Sequence, residues 1–271
     1  MVEISTPLLR YPGSKFRIRS WIYKYFVAHD IYVESFGGAG TMLFYKKPSS
    51  SEIFNDNNED VSNLFRVLRD PKKSEQLASL LQLTPYSRSE YENAWVESFD
   101  PVEKARKFIV RLSLGQKSKI DKSGFDTRVN SDGYAGRVNF FARLPETLNL
   151  FTERLKNVVI EEKDGISLID QFNRESVLHF VDPEYLNVKK RYKHSFTLED
   201  HIRLRDSLHK NIGQVILCGY QSDEYKEWYE EEGWERKNCT AFADGGHKRK
   251  ECIWLNPVAI KNQKTPDLFS N

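Results

Sequence analysis

Cysteine is scarce in this 271-residue chain, and its placement narrows the possibilities. Cys218, Cys239 and Cys252 are odd in number, separated in sequence and contain no C-x-x-C pair. Neither a disulfide framework nor a structural zinc site fits them, whereas a reducing, cytoplasmic compartment does. Long apolar runs are missing too. No stretch approaches the ~18 residues that a membrane span needs, and Met1 to Arg10 is too short and mixed for a signal peptide. A bulk excess of one charge is also lacking: 41 Lys and Arg face 39 Asp and Glu, for a formal net charge of +2. Two phosphate-binding signatures are incomplete. Pro12-Gly13-Ser14-Lys15 lacks the earlier glycine of a P-loop, and a dinucleotide fingerprint begun at Gly38 fails because position 43 is Leu.

The charge that is present is unevenly distributed. Between Val102 and Arg143 ten Lys and Arg oppose four acids, and further basic clusters occur at Lys189-Lys190-Arg191, with Lys193, and at His247-Lys248-Arg249-Lys250. One such run is ordinarily a solvated face. Together they suit a polyanionic partner, because phosphate contacts need local rather than global positive potential.

Strand and helix signals alternate at both ends of the chain. Ile31 to Phe36 and Glu52 to Asn55 read as short strands. Thr41 to Lys46 and Asn58 to Arg69 read as helices, the second with Val61, Leu64, Phe65 and Leu68 at helical spacing. From about Pro71 the texture changes to helical patterns over Ser74 to Leu81, Arg88 to Glu97 and Pro101 to Leu114. A Gly/Ser/Lys/Asn-rich stretch follows, Gly115 to Gly136, and then a helix from Leu144 to Leu155 with Pro145 in its first turn. Alternation then resumes with strands Val158 to Ile160, Val177 to Val181 and Gln214 to Cys218. Helices are expected over Ile166 to Phe172, Thr197 to His209 and Ser222 to Glu231, and Trp234 to Phe242 with Glu251 to Leu255 reads as a closing β-hairpin. The expected fold is α/β, a mostly parallel sheet with an antiparallel closing hairpin. Residues 1–70 and 151–271 form one domain, interrupted by a mainly helical insertion at 71–150.

Phe36-Gly37-Gly38-Ala39-Gly40 joins a strand to a helix, where glycine lets the backbone turn sharply and approach a ligand. Asp56 follows Gly37 by 19 residues, at the end of the next strand. A carboxylate there can accept hydrogen bonds from ribose hydroxyls. A turn that caps the following helix is the alternative for Asp56 alone. The buried-strand pattern Val177 to Val181 runs into Asp182-Pro183-Glu184-Tyr185.

Five stretches, taken in order, resemble the Dam-like, D12 class of adenine-N6 DNA methyltransferases. They are Leu9-Arg10-Tyr11-Pro12-Gly13-Ser14-Lys15, Glu34-Ser35-Phe36-Gly37-Gly38-Ala39-Gly40, Asn55-Asp56-Asn57, Asp182-Pro183-Glu184-Tyr185 and Glu251-Cys252-Ile253-Trp254-Leu255-Asn256. The family's tetrad is usually Asp-Pro-Pro-Tyr, and Glu184 stands here at the second proline. The resemblance implies a Rossmann-like methyltransferase fold, with 71–150 as a target-recognition domain. It implies S-adenosylmethionine as cofactor and no metal. The implied activity is methyl transfer to a flipped-out adenine in duplex DNA; the alternative is a catalytically impaired homologue that acts as a DNA-binding or regulatory protein.

Carried over by position, Tyr11 and Lys15 would line the methionine end of the cofactor. Phe36, Gly37, Gly38 and Gly40 would pass beneath it, Asp56 would hold the ribose, and Asp164 and Ile166 would meet the adenine. Asp182, Pro183 and Tyr185 would be catalytic, with Asp182 also beside the cofactor. Lys117, Lys119, Arg128, Asn130, Arg137, Asn139, Lys190 and Arg191 are the candidate DNA contacts. For Arg137 and Asn139 the alternative is bracing a loop, and for Asp164 it is a plain turn before a helix. Double-stranded DNA is the expected partner. A cognate restriction endonuclease stays open as another, and the chain is expected to be a monomer or weak dimer, away from membranes.

Overall fold

The computed structural model describes residues 4–116, 120–128, 136–186, 196–242 and 248–264. After a 3-10 turn at Lys15–Arg17 come α1 (Arg19–Tyr23), β1 (Ile31–Glu34), α2 (Thr41–Tyr45), β2 (Ser51–Asn55), α3 (Glu59–Arg69), α4 (Pro71–Leu83), α5 (Arg88–Asn93), α6 (Pro101–Leu114) and α7 (Gly136–Leu155). The chain continues through β3 (Val158–Glu161), α8 (Gly165–Gln171), β4 (Val177–Val181), α9 (Leu198–His209), β5 (Gln214–Gly219), α10 (Asp223–Tyr225), β6 (Glu235–Phe242), β7 (Lys248–Leu255) and α11 (Pro257–Lys264). Between α10 and β6, residues Lys226–Glu230 form a π-helical turn. Among the described residues no helix is long and apolar enough to cross a membrane.

The strands form one seven-stranded sheet in the order β3-β2-β1-β4-β5-β7-β6. β1 pairs in parallel with β2 and β4, β4 pairs in parallel with β5, and β7 runs antiparallel to both β5 and β6. This is the expected mostly parallel sheet with its antiparallel closing hairpin. β4 and β5 are buried along their whole length, which is why their sequences are unbroken apolar runs rather than alternating ones.

Two compact units divide the chain. One contains Lys15–Gly37, Lys46–Asn57 and Glu161–Asn271, and the other Met1–Ser14, Gly38–Tyr45 and Asn58–Ile160. The core of the first includes Ile166, Val181, Leu204, Leu217, Tyr225 and Trp254, between the sheet and α8, α9 and α10. In the second unit helix ends follow sequence rules closely. Asn58 caps α3, Asp70 caps α4 ahead of Pro71, and Asp100 caps α6 ahead of Pro101.

These boundaries differ from the expected ones at 70/71 and 150/151, because α2 and α3 belong with the helices that follow. The Phe44 ring of α2 stacks on Phe65 of α3 at 5.5 Å and meets Phe151 of α7 edge-on at 4.8 Å. Gly40, at φ 62°, permits this approach: a Cβ there would lie 2.9 Å from both Phe44 and Phe65. α7 also corrects an expectation. It starts at Gly136, not at Leu144, and Pro145 lies inside it. Phe141, Leu144, Leu148, Phe151 and Leu155 are all buried, so a single apolar stripe continues through the proline and offsets its missing hydrogen bond.

Candidate active site

The site begins with strand register. Glu34 of β1 lies opposite Phe180 of β4, so the residues leaving the two strands emerge at the same edge of the sheet. The order β2-β1-β4 reverses chain direction of travel between β1 and β4, which is where open α/β sheets bind ligands. Ser35 and Phe36 leave β1 there, and Asp182 and Pro183 leave β4.

Asp182 is the centre of this edge. Its Oδ2 lies 2.7 Å from the ammonium of Lys15, a residue only 6% exposed. Its Oδ1 is buried and accepts no hydrogen bond from the described residues. The Ser35 hydroxyl, at the end of the neighbouring strand, is buried and unpartnered in the same sense. The Lys15 ammonium also sits 4.9 Å from the centre of the Tyr185 ring. The Tyr185 hydroxyl donates to Glu251 Oε2 at 3.1 Å, and its ring meets Tyr220 edge-on at 4.6 Å.

The electrostatics follow from burial and from an excess of carboxylates. Burial raises the Asp182 carboxyl above its ordinary value, and Glu251 adds to this, against the pull of Lys15. Burial alone would lower the Lys15 ammonium, but the charges of Asp182 and Glu251 outweigh it and hold Lys15 protonated. Burial likewise pushes the Tyr185 phenol and the Cys218 thiol well up, so both are neutral.

Asn55 prepares the next strand end. Wholly buried, it donates to the carbonyls of Ser35 and Lys163 at 2.8 and 3.1 Å, and accepts from the Lys163 N–H at 2.8 Å. It thereby fastens the segments after β1 and β3 to the end of β2. Gly37 N–H donates to the Asn55 carbonyl at 2.8 Å. A Cβ on Gly37 would lie 2.1 Å from the Phe54 ring, so this turn admits only glycine. Asp56 follows, half-buried. The helix cap expected as its alternative role falls to Asn58, whose side chain accepts from Asp60 N–H.

Asp164 does cap a helix: its Oδ1 accepts from the N–H and hydroxyl of Ser167, at 2.8 and 2.9 Å. Ile166 is a core residue, and Phe36 packs against the same cluster. The Phe36 ring lies so close to Gly165 that a Cβ there would be 2.7 Å away.

In the other unit, Tyr11-Pro12-Gly13-Ser14 forms a turn closed by Ser14 N–H to Tyr11 O at 3.2 Å, with Gly13 at φ 76°. The Ser14 hydroxyl contacts that of Thr41 at 3.0 Å. Gly38, at φ 51°, faces the Tyr11 ring, which a Cβ would approach to 3.0 Å.

Among the candidate DNA contacts, Arg137 is tied inward. Its Nε lies 2.8 Å from Asp126 Oδ2, and its Nη1 donates to the Gly115 carbonyl at 3.0 Å. Arg128 donates to the same carboxylate, with 62% of its side chain exposed. Arg128 holds the Asp126 carboxyl below its ordinary value against the opposing effect of burial, and Arg137 assists. Asn139 is half-buried on α7. Lys117, Lys119, Asn130, Lys190 and Arg191 lie outside the described residues.

The family model of D12 class N6 adenine-specific DNA methyltransferases matches residues 11–240. The chain belongs to that family. No individual curated protein matches it. In this D12 class methyltransferase the match takes in Tyr11, Lys15, the glycine turn, Asp56 and the tetrad, and it stops short of Glu251. The family makes DNA its substrate class and adenine N6 methylation its chemistry. Sequence reading missed four contributors to the site: Ser35, Asn55, Tyr220 and Glu251. Asn55 had a signal, since a polar side chain ending an apolar strand needs buried partners. Glu251 opens one of the stretches that carry the resemblance, but its role is visible only in the structure, where the antiparallel pairing of Gly219 with Cys252 brings it beside Tyr220.

Proposed function

We propose that the protein is a site-specific DNA adenine-N6 methyltransferase that uses S-adenosylmethionine and acts on a flipped-out base in duplex DNA. The observation that carries this reading is the buried Oδ1 of Asp182, unpaired among the described residues, at the sheet's switch point. An orphaned buried acceptor is costly unless a ligand satisfies it.

An exocyclic adenine amine is a poor nucleophile, because its lone pair is delocalised into the ring. Two acceptors that hold its hydrogens draw the nitrogen toward tetrahedral geometry and free the lone pair. Asp182 supplies one and the Pro183 carbonyl the other. Asp182 must be ionised for this, and it stabilises the positive charge that develops on the nitrogen. Lys15 occupies Oδ2 and leaves Oδ1 for the amine. Tyr185, braced by Tyr220 and Glu251, offers a ring face for the base. When bound, the cofactor supplies an electrophilic methyl group on a sulfonium.

Phe36 and Gly37 lie on the edge that would receive that cofactor, with Asp56 for the ribose and Asp164 and Ile166 for the adenine. The resemblance adds Tyr11, Gly38 and Gly40. A stacked base is out of reach of such a site, which is why the target is flipped. Residues 71–150 are the proposed target-recognition region, with Arg128 and Asn139 as its described candidates for DNA contacts.

The test is transfer of labelled methyl from S-adenosylmethionine to adenine-containing duplexes, with product nucleosides separated. N6-methyladenine with the natural chain and none with Asp182→Ala is the expected result. DNA binding without transfer by the natural chain would support the alternative, an impaired homologue acting as a DNA-binding protein.

A further inference from the structure

Glu184 replaces the tetrad's second proline, and its carboxylate has a definite job in the fold. Oε2 accepts a hydrogen bond from the Phe196 backbone N–H at 3.0 Å, across 12 residues of sequence. An acceptor that carries charge makes this stronger than a neutral bond, and proline at 184 has no side-chain acceptor with which to make it. Phe196 immediately precedes Thr197, the N-cap of α9, where Thr197 and Asp200 form a capping box. The bond therefore joins the tetrad to the start of α9.

The Phe196 ring carries the connection further. It meets Phe36 edge-on at 5.5 Å and 86°, and His201 edge-on at 4.8 Å and 86°. Phe36 in turn rests against Gly165 and the core that contains Ile166. An unbroken series of contacts thus runs from Glu184 through Phe196 to Phe36, the aromatic residue of the glycine turn.

We propose that Glu184 is a positioning residue that holds the Phe196–Phe36 aromatic wall in place for the nucleoside half of the cofactor. This rests on the methyltransferase reading of the site. Proline at this position would stiffen the tetrad through its own ring; Glu184 fixes it instead through a tether to α9. The residue leaves the Pro183 carbonyl in place, so its role is in cofactor binding more than in the chemical step.

Glu184→Gln, Glu184→Ala and Glu184→Pro test this with two readouts. The first is amide hydrogen exchange at Phe196 in the protein without cofactor. Protection is expected to fall at least tenfold in the Ala and Pro variants and to persist in Gln, whose amide oxygen still accepts. The second is S-adenosylmethionine binding by equilibrium dialysis, alongside kcat and KM. The Ala and Pro variants are expected to bind five- to twentyfold more weakly, with kcat changed less than twofold, and Gln is expected to restore affinity. Unchanged Phe196 protection in Glu184→Ala, or cofactor affinity in Glu184→Pro equal to that of the natural chain, would overturn the proposal. If the natural chain binds no cofactor while Phe196 protection still depends on residue 184, the site reading fails and the tether alone stands.

Discussion

Burial and neighbouring charge pull Asp182 in opposite directions, and the balance sets how the residue works. Burial and Glu251 raise its carboxyl, whereas Lys15 at 2.7 Å favours the ionised form. In the proposed reaction the carboxylate must be ionised to accept from the amine, so kcat is expected to fall as pH drops through a point above the ordinary carboxylate range. Removing the cation in Lys15→Met takes away the chief influence that lowers this point, so the acid limb of the kcat–pH profile moves to higher pH. An unmoved limb would mean that Lys15 does not govern Asp182. The tetrad was legible in sequence because its members are contiguous and follow an apolar strand. Glu251 and Tyr220 were not, since their nearness to Tyr185 arises from pairing between distant strands.

Strand ends do the positioning, and one residue at a strand end and one within a strand allow tests. Asn55 makes three buried hydrogen bonds that hold the segments after β1 and β3. Asn55→Ala leaves their partners unsatisfied at a cost of about 3 kcal/mol, which urea unfolding would register. His179, within β4, is fully buried, and its Nε2 lies 3.2 Å from the Phe172 carbonyl. A carbonyl only accepts, so Nε2 carries the proton. Burial lowers the imidazole from 6.5 to about 4. Its folded value lies below its unfolded one, so the stability it confers is present above pH 6.5 and is lost as pH falls toward about 4. The loss amounts to about 3 kcal/mol. Urea unfolding between pH 7 and 4 should show this decline, and His179→Gln should flatten it. Buried strands were readable from their apolar runs. The start of α7 is not legible in the sequence, because Pro145 resembles a helix boundary whereas the apolar stripe around it carries the helix through.

At the scale of the whole molecule, charge counted along the chain overstates the local positive potential. Lys104 pairs with Glu59, Arg106 with Glu90 as well as Glu103, Arg111 with Asp60 and Lys122 with Glu92. Several of those acids lie on neighbouring helices that a linear count does not include. The predicted salt dependence of DNA binding is correspondingly moderate, with log affinity falling against log salt at a slope of about −4. A slope near zero in filter binding would contradict phosphate recognition. The mostly parallel sheet and its closing hairpin followed from alternating strand and helix signals; the order of the strands is seen only in the structure. The grouping of α2 and α3 with the later helices did not, because it depends on Phe44, Phe65 and Phe151 meeting in space. The central claim, adenine N6 methylation through Asp182, is tested most directly in a methylation-deficient host that expresses the chain, with modified bases mapped by sequencing. N6-methyladenine is predicted at a defined recognition sequence and is lost with Asp182→Ala. Absence of modified adenine from cells that make the folded natural protein, or its persistence with Asp182→Ala, would contradict it.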